Sequence, residues 1–197
     1  MLGGVVVVLL LAFTGYQALK AKTALESVEA DFDTLSVELR SGDEASIQAT
    51  LTSAQGHARD AFDNTRGPVW WLSSKLPGPG RNVDAVRIVA EVADRLASDI
   101  LPDVASATST LTPENLRPVK GRVDLEPIRE IKPAVVRAAT ALSAESSQVD
   151  EIDTGALVSQ VAGPVSRLQT RIADADELAD RASRAVRLIP PMLGGER

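Results

Sequence analysis

Residues 18–66 read ALKAKTALESVEADFDTLSVELRSGDEASIQATLTSAQGHARDAFDNTR, and the spacing of their apolar members decides the fold. Ala18, Ala21, Leu25, Val28, Phe32, Leu35 and Leu39 recur at alternating steps of three and four, the spacing that lays a single apolar seam along a helix. Ser41-Gly42-Asp43 follows, with a glycine suited to closing one helix and an aspartate suited to capping the next. Ile47, Leu51, Ala54, Ala58, Ala61 and Thr65 then repeat the pattern. Two seamed helices joined by so short a turn should fold back on each other as an antiparallel hairpin.

Upstream, Met1 to Leu19 contains no charged residue, and VVVVLLLAF (Val5–Phe13) is apolar without a break. As a helix this stretch spans about 28 Å, close to the hydrocarbon thickness of a bilayer. Tyr16 sits where an interfacial aromatic belongs, and Lys20 and Lys22 lie just beyond it. A cleaved signal peptide would need a charged leading region and a small-residue cleavage site, and the helical pattern instead runs on to Leu39. Residues 1–19 are therefore expected to be an uncleaved transmembrane anchor. The two lysines alone would place the following domain in the cytoplasm, but long domains cross largely regardless of such charges, and an outside orientation is the expectation.

Downstream, Gly67-Pro68 ends the second helix, and Trp70-Trp71 leads into the turn-rich Pro77-Gly78-Pro79-Gly80. Asn82 is the expected cap of a third helix, with seam Val86, Ala90, Ala93, Ala97, Ile100, Val104, Ala107 and Leu111 and a kink at Pro102. Thr112–Val123 reads as irregular. Asp124 should cap a fourth helix through Ile128, Ile131, Val135, Ala138 and Leu142 to Val149. Thr154 should open a fifth through Leu157, Val161, Leu168, Ile172, Ala175, Ala179, Ala182 and Ile189, interrupted at Gly163-Pro164. Period-two alternation is never sustained, so no sheet is expected. The fold class is all-α, an elongated antiparallel helical bundle of coiled-coil-like hairpins following an N-terminal transmembrane helix. Its expected organisation is an anchor (1–19), a hairpin (20–66), a Trp/Pro/Gly-rich connector (67–81), a three-helix region (82–190) and a linker to a further C-terminal domain (191–197).

Helix lengths add a geometric expectation. A rise through Lys20–Arg40 and a descent through Asp43–Arg66 return the chain to the bilayer surface at Trp70 and Trp71. Tryptophan favours that interface, which makes the pair a candidate membrane contact. The competing reading is that both rings cover the open end of the bundle.

The inventory for catalysis is poor. Cysteine is absent and His57 is the one histidine among 197 residues, so neither a thiolate nor a His-based metal site can be assembled. His57 lies off the seam and reads as an exposed helix residue. Asp174, Asp176, Glu177 and Asp180 are interleaved with Arg171, Arg181 and Arg184 at helical spacing, the mark of a salt-bridged outer face rather than a cation site. Gly78-Pro79-Gly80 lacks a preceding strand and has proline where a phosphate cradle needs N–H groups. No catalytic, cofactor-binding or metal-binding residue is assigned. A net charge of −6 disfavours a nucleic-acid partner. Aromatics make up only 3% of the chain, so its core must be filled by Ala, Val, Leu and Ile, which suits closely spaced helices.

Three passages together carry a resemblance: Gly67-Pro-Val-Trp-Trp-Leu through Lys75-Leu-Pro-Gly-Pro-Gly80-Arg-Asn-Val-Asp-Ala-Val-Arg87, Leu116-Arg-Pro-Val-Lys-Gly-Arg-Val-Asp-Leu125, and Arg187-Leu-Ile-Pro-Pro-Met-Leu-Gly194. In their order, behind a leading hydrophobic segment, they resemble the N-terminal part of the membrane-anchored actinobacterial proteins catalogued as domain of unknown function 4012. The resemblance implies a place in the cell envelope, an extracytoplasmic orientation and a larger domain following the helices, and it transfers no catalytic residue. The functional expectation is a non-enzymatic, membrane-tethered stalk or interaction region that presents a downstream domain, with self-association or an envelope protein or glycan as further partners. The alternatives are a sensory or ligand-binding bundle, with a polar pocket sought near Pro102, Gly163 and Pro164, and the non-catalytic part of an enzyme that processes envelope glycopolymers.

Overall fold

The structure is a computed structural model that describes residues 2–76, 79–111 and 125–192, with side chains described over 20–76, 79–111 and 125–188. The described residues are all-α, with no strand among them. The helices are α1 (Leu2–Ser41), α2 (Glu44–Asn64), α3 (Pro68–Ser74), α4 (Gly80–Arg95), α5 (Leu101–Thr110), α6 (Glu126–Asp150) and α7 (Ser159–Met192). A single π-helical turn, Leu96–Ile100, joins α4 to α5, and a 3-10 turn, Thr154–Ala156, precedes α7. The irregular stretch expected at Thr112–Val123 and the cap expected at Asp124 lie outside the described residues, as do Pro77-Gly78 and 193–197.

α1 and α2 run antiparallel because the turn between them is short and correctly furnished. Gly42 adopts φ +75°, a left-handed conformation open to glycine, and the Gly42 N–H bonds back to the Glu38 carbonyl at 3.0 Å. Asp43 caps α2, its carboxylate accepting from the Ala45 N–H and from the Ser46 hydroxyl at 2.8 Å. The Ser46 hydroxyl bond lowers the Asp43 carboxyl below its ordinary value of 3.8. Ile47, Leu51, Ala54, Ala58, Ala61 and Thr65 are all buried, as are Ala21, Val28 and Leu35 of α1. Alanine at the middle of this seam lets the two backbones approach closely.

α4 is buried on two sides, one more than its single seam suggests. Ala93 and Ala97 pack with Val28 and Ala58 of the first hairpin. Ala85, Val92, Leu96 and Ile100 face α6 and α7, meeting Ala138, Leu142, Val149, Val165 and Ile172 in the largest core cluster. α6 and α7 return antiparallel to each other. Gln169 Nε2 donates to the carbonyls of Val149 and Ile152 at 3.0 and 3.1 Å, closing the C-terminal end of α6. At the opposite end of α6, Ile131 packs with Ala107 and Val186, so α7 finishes far from Lys20. It continues through Met192, two residues into the segment expected as a linker.

Four expectations about helix boundaries and faces need correction. Asn82 caps a different helix from the one expected: α4 already begins at Gly80, and Asn82 Oδ1 accepts from the Val158 N–H, just before α7, at 2.8 Å. Thr154 opens only the 3-10 turn, which Asp153 caps by accepting from the Gly155 N–H at 3.1 Å; the turn stops at Leu157, whose backbone is extended, and α7 begins at Ser159. Gly163-Pro164 does not interrupt α7. Pro164 stands in its second turn, where its missing N–H forfeits one bond, and both residues face outward. Beyond Ile172 the buried face of α7 passes through Ser183 and Val186, leaving Ala175 and Ala182 exposed.

At Pro102, where a kink is expected, the helical path runs on from the π-turn into α5. The Leu101 N–H bonds to the Leu96 carbonyl, five residues back. Pro102 has no N–H to continue that register to the Ala97 carbonyl, so this buried acceptor is left over. Gln55 of α2 supplies the donor, its Nε2 lying 3.2 Å from Ala97 O.

Candidate functional site

Two places concentrate features beyond simple helix packing: a charged layer beside the π-turn, and the end of the molecule that carries the tryptophans.

The charged layer is centred on Arg95, the last residue of α4. Its Nε lies 2.7 Å from Glu145 Oε1 on α6, although its N–H is not directed at that oxygen. Nη1 donates to Glu91 Oε1 at 2.9 Å, and Nη2 bonds to Gln148 Oε1. Burial by itself lowers the Arg95 pKa, and the adjoining Glu145 and Glu91 carboxylates outweigh that effect and raise it. The guanidinium is thus held charged where α4 meets α6. On the other side of α4, Arg59 of α2 reaches the buried Asp94 at 3.2 Å. Glu145 Oε2 and Asp94 Oδ1 are buried without a hydrogen-bond partner. A further link joins α5 to α6, where Arg137 grips Asp103 with two N–H groups at 3.1 and 2.7 Å. The pKa of the Arg137 guanidinium is raised by those hydrogen bonds first and by plain charge attraction second.

At the other place, Gly67 (φ +117°) turns the chain and Pro68 starts α3. The two tryptophans part company there. Trp70 is 1% exposed and Trp71 63% exposed, because adjacent residues on a helix point about 100° apart. Trp70 shares the inward face of α3 with the buried Ser73, so neither a joint membrane contact nor a joint cover describes the pair. Arg66 stacks 4.6 Å from the centre of the Phe62 ring. Phe62, Arg66, Trp70, Trp71, Lys75 and Arg87 border an open cleft of about 500 Å³. Gly80 fits α4 tightly onto the end of α3, since a Cβ there would lie 2.4 Å from the Ser74 carbonyl oxygen.

The remaining sequence candidates are structural. His57 is half-buried rather than exposed, with Nδ1 2.7 Å from Asp31 Oδ2 across the first hairpin. Ser53 donates to that same carboxylate at 3.2 Å. The serine therefore lies on the acid rather than on the imidazole, and this trio lacks the base-to-hydroxyl contact of a nucleophilic triad. On α7, Arg181 pairs with Glu177 at 2.5 Å and Arg184 with Asp180, while Arg171 crosses to Asp33 of α1 at 3.1 Å. Among the described residues no three His, Cys, Asp or Glu side chains are placed to share a metal ion. Gly163 and Pro164 do not open a pocket beside Pro102, because they lie on the outer face of α7.

No family model, curated protein or solved structure matches the chain.

The charged layer is hidden in the sequence because Glu145 and Asp94 look like solvated helix residues until α4 is seen to be covered on both sides. Glu91 and Arg95, four apart, are the available signal. The partners that complete the layer, Glu145 and Gln148, come from a distant helix.

Proposed function

We propose that this chain is a membrane-tethered, extracytoplasmic helical stalk, an elongated antiparallel bundle that holds a downstream domain away from the bilayer. The observation that carries the reading is the continuity of α1, a single helix from Leu2 to Ser41. The apolar stretch 1–19 thus enters the same rod that packs on α2, α3 and α4. Among the described residues no helix is long and apolar enough to cross a membrane, and the side chains of residues 1–19 lie outside that set. The resemblance of 67–87, 116–125 and 187–194 to the envelope family supports the outside orientation. The end of α7 at the pole opposite Lys20 suits a stalk that hands the chain on to a distal domain.

The absence of cysteine makes the test direct. Ser36→Cys places one thiol on an exposed face of α1. In intact cells, a membrane-impermeant maleimide should label it, and the protein should stay with the membrane after an alkaline carbonate wash. Labelling only after permeabilisation would put the domain in the cytoplasm, and release by carbonate would end the tether reading.

The sensory alternative has one specific observation in its favour. The π-turn beside the buried Asp94 and Glu145 oxygens is the kind of irregularity that accompanies functional sites. An envelope glycan that raised the melting temperature of wild-type protein, but not of an Arg95→Met/Glu145→Leu variant, would favour this reading over the stalk.

A further inference from the structure

Among the described residues, the outward face of α3 gathers three large exposed apolar side chains within six residues. Trp71 and Leu72 are 63% and 48% exposed, and Leu76, just past the helix, is 36% exposed. Helical spacing puts Leu76 one turn beyond Leu72 and Lys75 one turn beyond Trp71, so these four residues form one continuous surface with Pro68. The opposite side of α3 is where Trp70 and Ser73 are buried.

The position of this face follows from the hairpin. Asp31 meets Ser53 and His57, and antiparallel pairing carried down from there sets Thr65 beside Ala21, both of them fully buried. α3 also touches α1 directly. The apolar face therefore lies at the pole of the molecule where residues 1–19 join it, and Val158, 52% exposed, is brought to that pole by Asn82.

Charge at that pole is opposite in sign to the molecule as a whole. Lys20, Lys22, Arg66, Lys75 and Arg81 lie in segments 1–25 and 64–83, which contain no Asp or Glu, although the chain carries a net charge of −6. The nearest acids, Glu26, Asp63 and Asp84, begin the acidic body: Lys22 pairs with Glu26 at 2.8 Å and Asp84 with Arg87 at 3.0 Å.

We propose that the outward face of α3, Trp71, Leu72 and Leu76 with Lys75 among them, docks on the surface of an anionic lipid bilayer as a second foot beside the α1 tether. A tryptophan and two leucines enter the headgroup boundary while the basic residues meet anionic headgroups. Trp70 stays in the protein and anchors the foot. This inference rests on the tether reading and adds a second contact, which fixes the tilt of the stalk.

The experiment uses the full chain reconstituted in vesicles of phosphatidylcholine, with or without an equal part of phosphatidylglycerol, and with lipids brominated in the upper acyl chain as quenchers. Trp70→Phe leaves Trp71 as the reporter. If that substitution unfolds the protein, the difference between wild type and Trp71→Phe reports the same ring. Phe13→Trp in a background without Trp70 and Trp71 reports the tether separately. The expected result is at least twofold quenching of Trp71 in the anionic vesicles, lost in Leu72→Ser/Leu76→Ser, with the Phe13→Trp probe quenched throughout. An unquenched Trp71 beside a quenched Phe13→Trp probe overturns the foot and spares the tether, and two unquenched probes overturn both. Trp71 shielded from aqueous iodide, unquenched by lipid, in protein of dimeric mass would assign this face to a second copy of the chain and also overturn the proposal.

Discussion

The α1–α2 hairpin and the α4–α6 contact are both places where two helices meet, yet they are held by different physics. The hairpin is sealed by Leu35, Ile47, Leu51, Ala54, Ala58 and Ala61, all buried and apolar. The α4–α6 contact adds to its apolar cluster a guanidinium that bridges Glu91, Glu145 and Gln148. An apolar seam gains stability in proportion to the area it removes from water. A desolvated ion pair gains little over an apolar pair and is costly to break by halves. The first kind of contact holds; the second also specifies which partner is held.

The largest break in this contrast should come from Leu51→Ala. It removes a fully packed side chain where α2 meets α1 and α5, and should cost roughly 2–5 kcal/mol, read as a lower urea midpoint at unchanged slope. A loss below about 1 kcal/mol would mean that the hairpin seam is not the main fastening.

In the charged layer, Glu145→Ala should cost about 2 kcal/mol. This is less than the roughly 3–5 kcal/mol for a fully buried pair, because the Arg95 side chain is 34% exposed. Replacing both partners, Arg95→Met with Glu145→Leu, should recover most of that loss. Equal losses for the single and the double variant would show that the layer acts as packing rather than as charge.

Where the two regions meet, Gln55→Ala strands the Ala97 carbonyl and should cost about 1–2 kcal/mol. In a Pro102→Ala background, residue 102 regains an N–H able to reach Ala97 O, so the same change should cost about half as much. Additive effects would remove Gln55 from this role.

The smallest effect belongs to the Asp43 cap. Its carboxyl is lowered below 3.8 chiefly by the Ser46 hydroxyl, so its contribution is present above that value and is lost as pH falls through the lowered one. Protection of the amides in the first turn of α2, measured as exchange relative to unstructured chain at the same pH, should fall as the medium is acidified below pH 3.8, and this fall should be absent in Asp43→Asn.

The contrast also separates what sequence reveals from what it conceals. A seam is legible because a helix repeats every 3.6 residues, and the buried residues of α2 are those its spacing marks. Burial on a second face is not legible: Ala85, Val92 and Leu96 read as ordinary positions until α6 and α7 cover them. Beyond Ile172 two registers compete, and the alanines at 175 and 182 draw the eye from the true face, which carries the polar Ser183. Trp70 and Trp71 are conspicuous together in sequence, but only the backbone direction of α3 decides which ring is buried.

The bond from Gln55 to Ala97 has a mechanical meaning. Backbone carbonyls along a helix are normally spent within it, so one helix can slide past a neighbour with little penalty beyond repacking. Here one carbonyl is left outstanding, at one height, and one side chain on α2 meets it. The contact works as an index pin: a shift of α2 along α4 by a single turn, about 5.4 Å, withdraws the pin and leaves the acceptor dry. A push arriving along α1 and shared with α2 would therefore carry α4 with it. The bond thus opposes sliding of α2 past the π-turn by more than the cost of repacking alone.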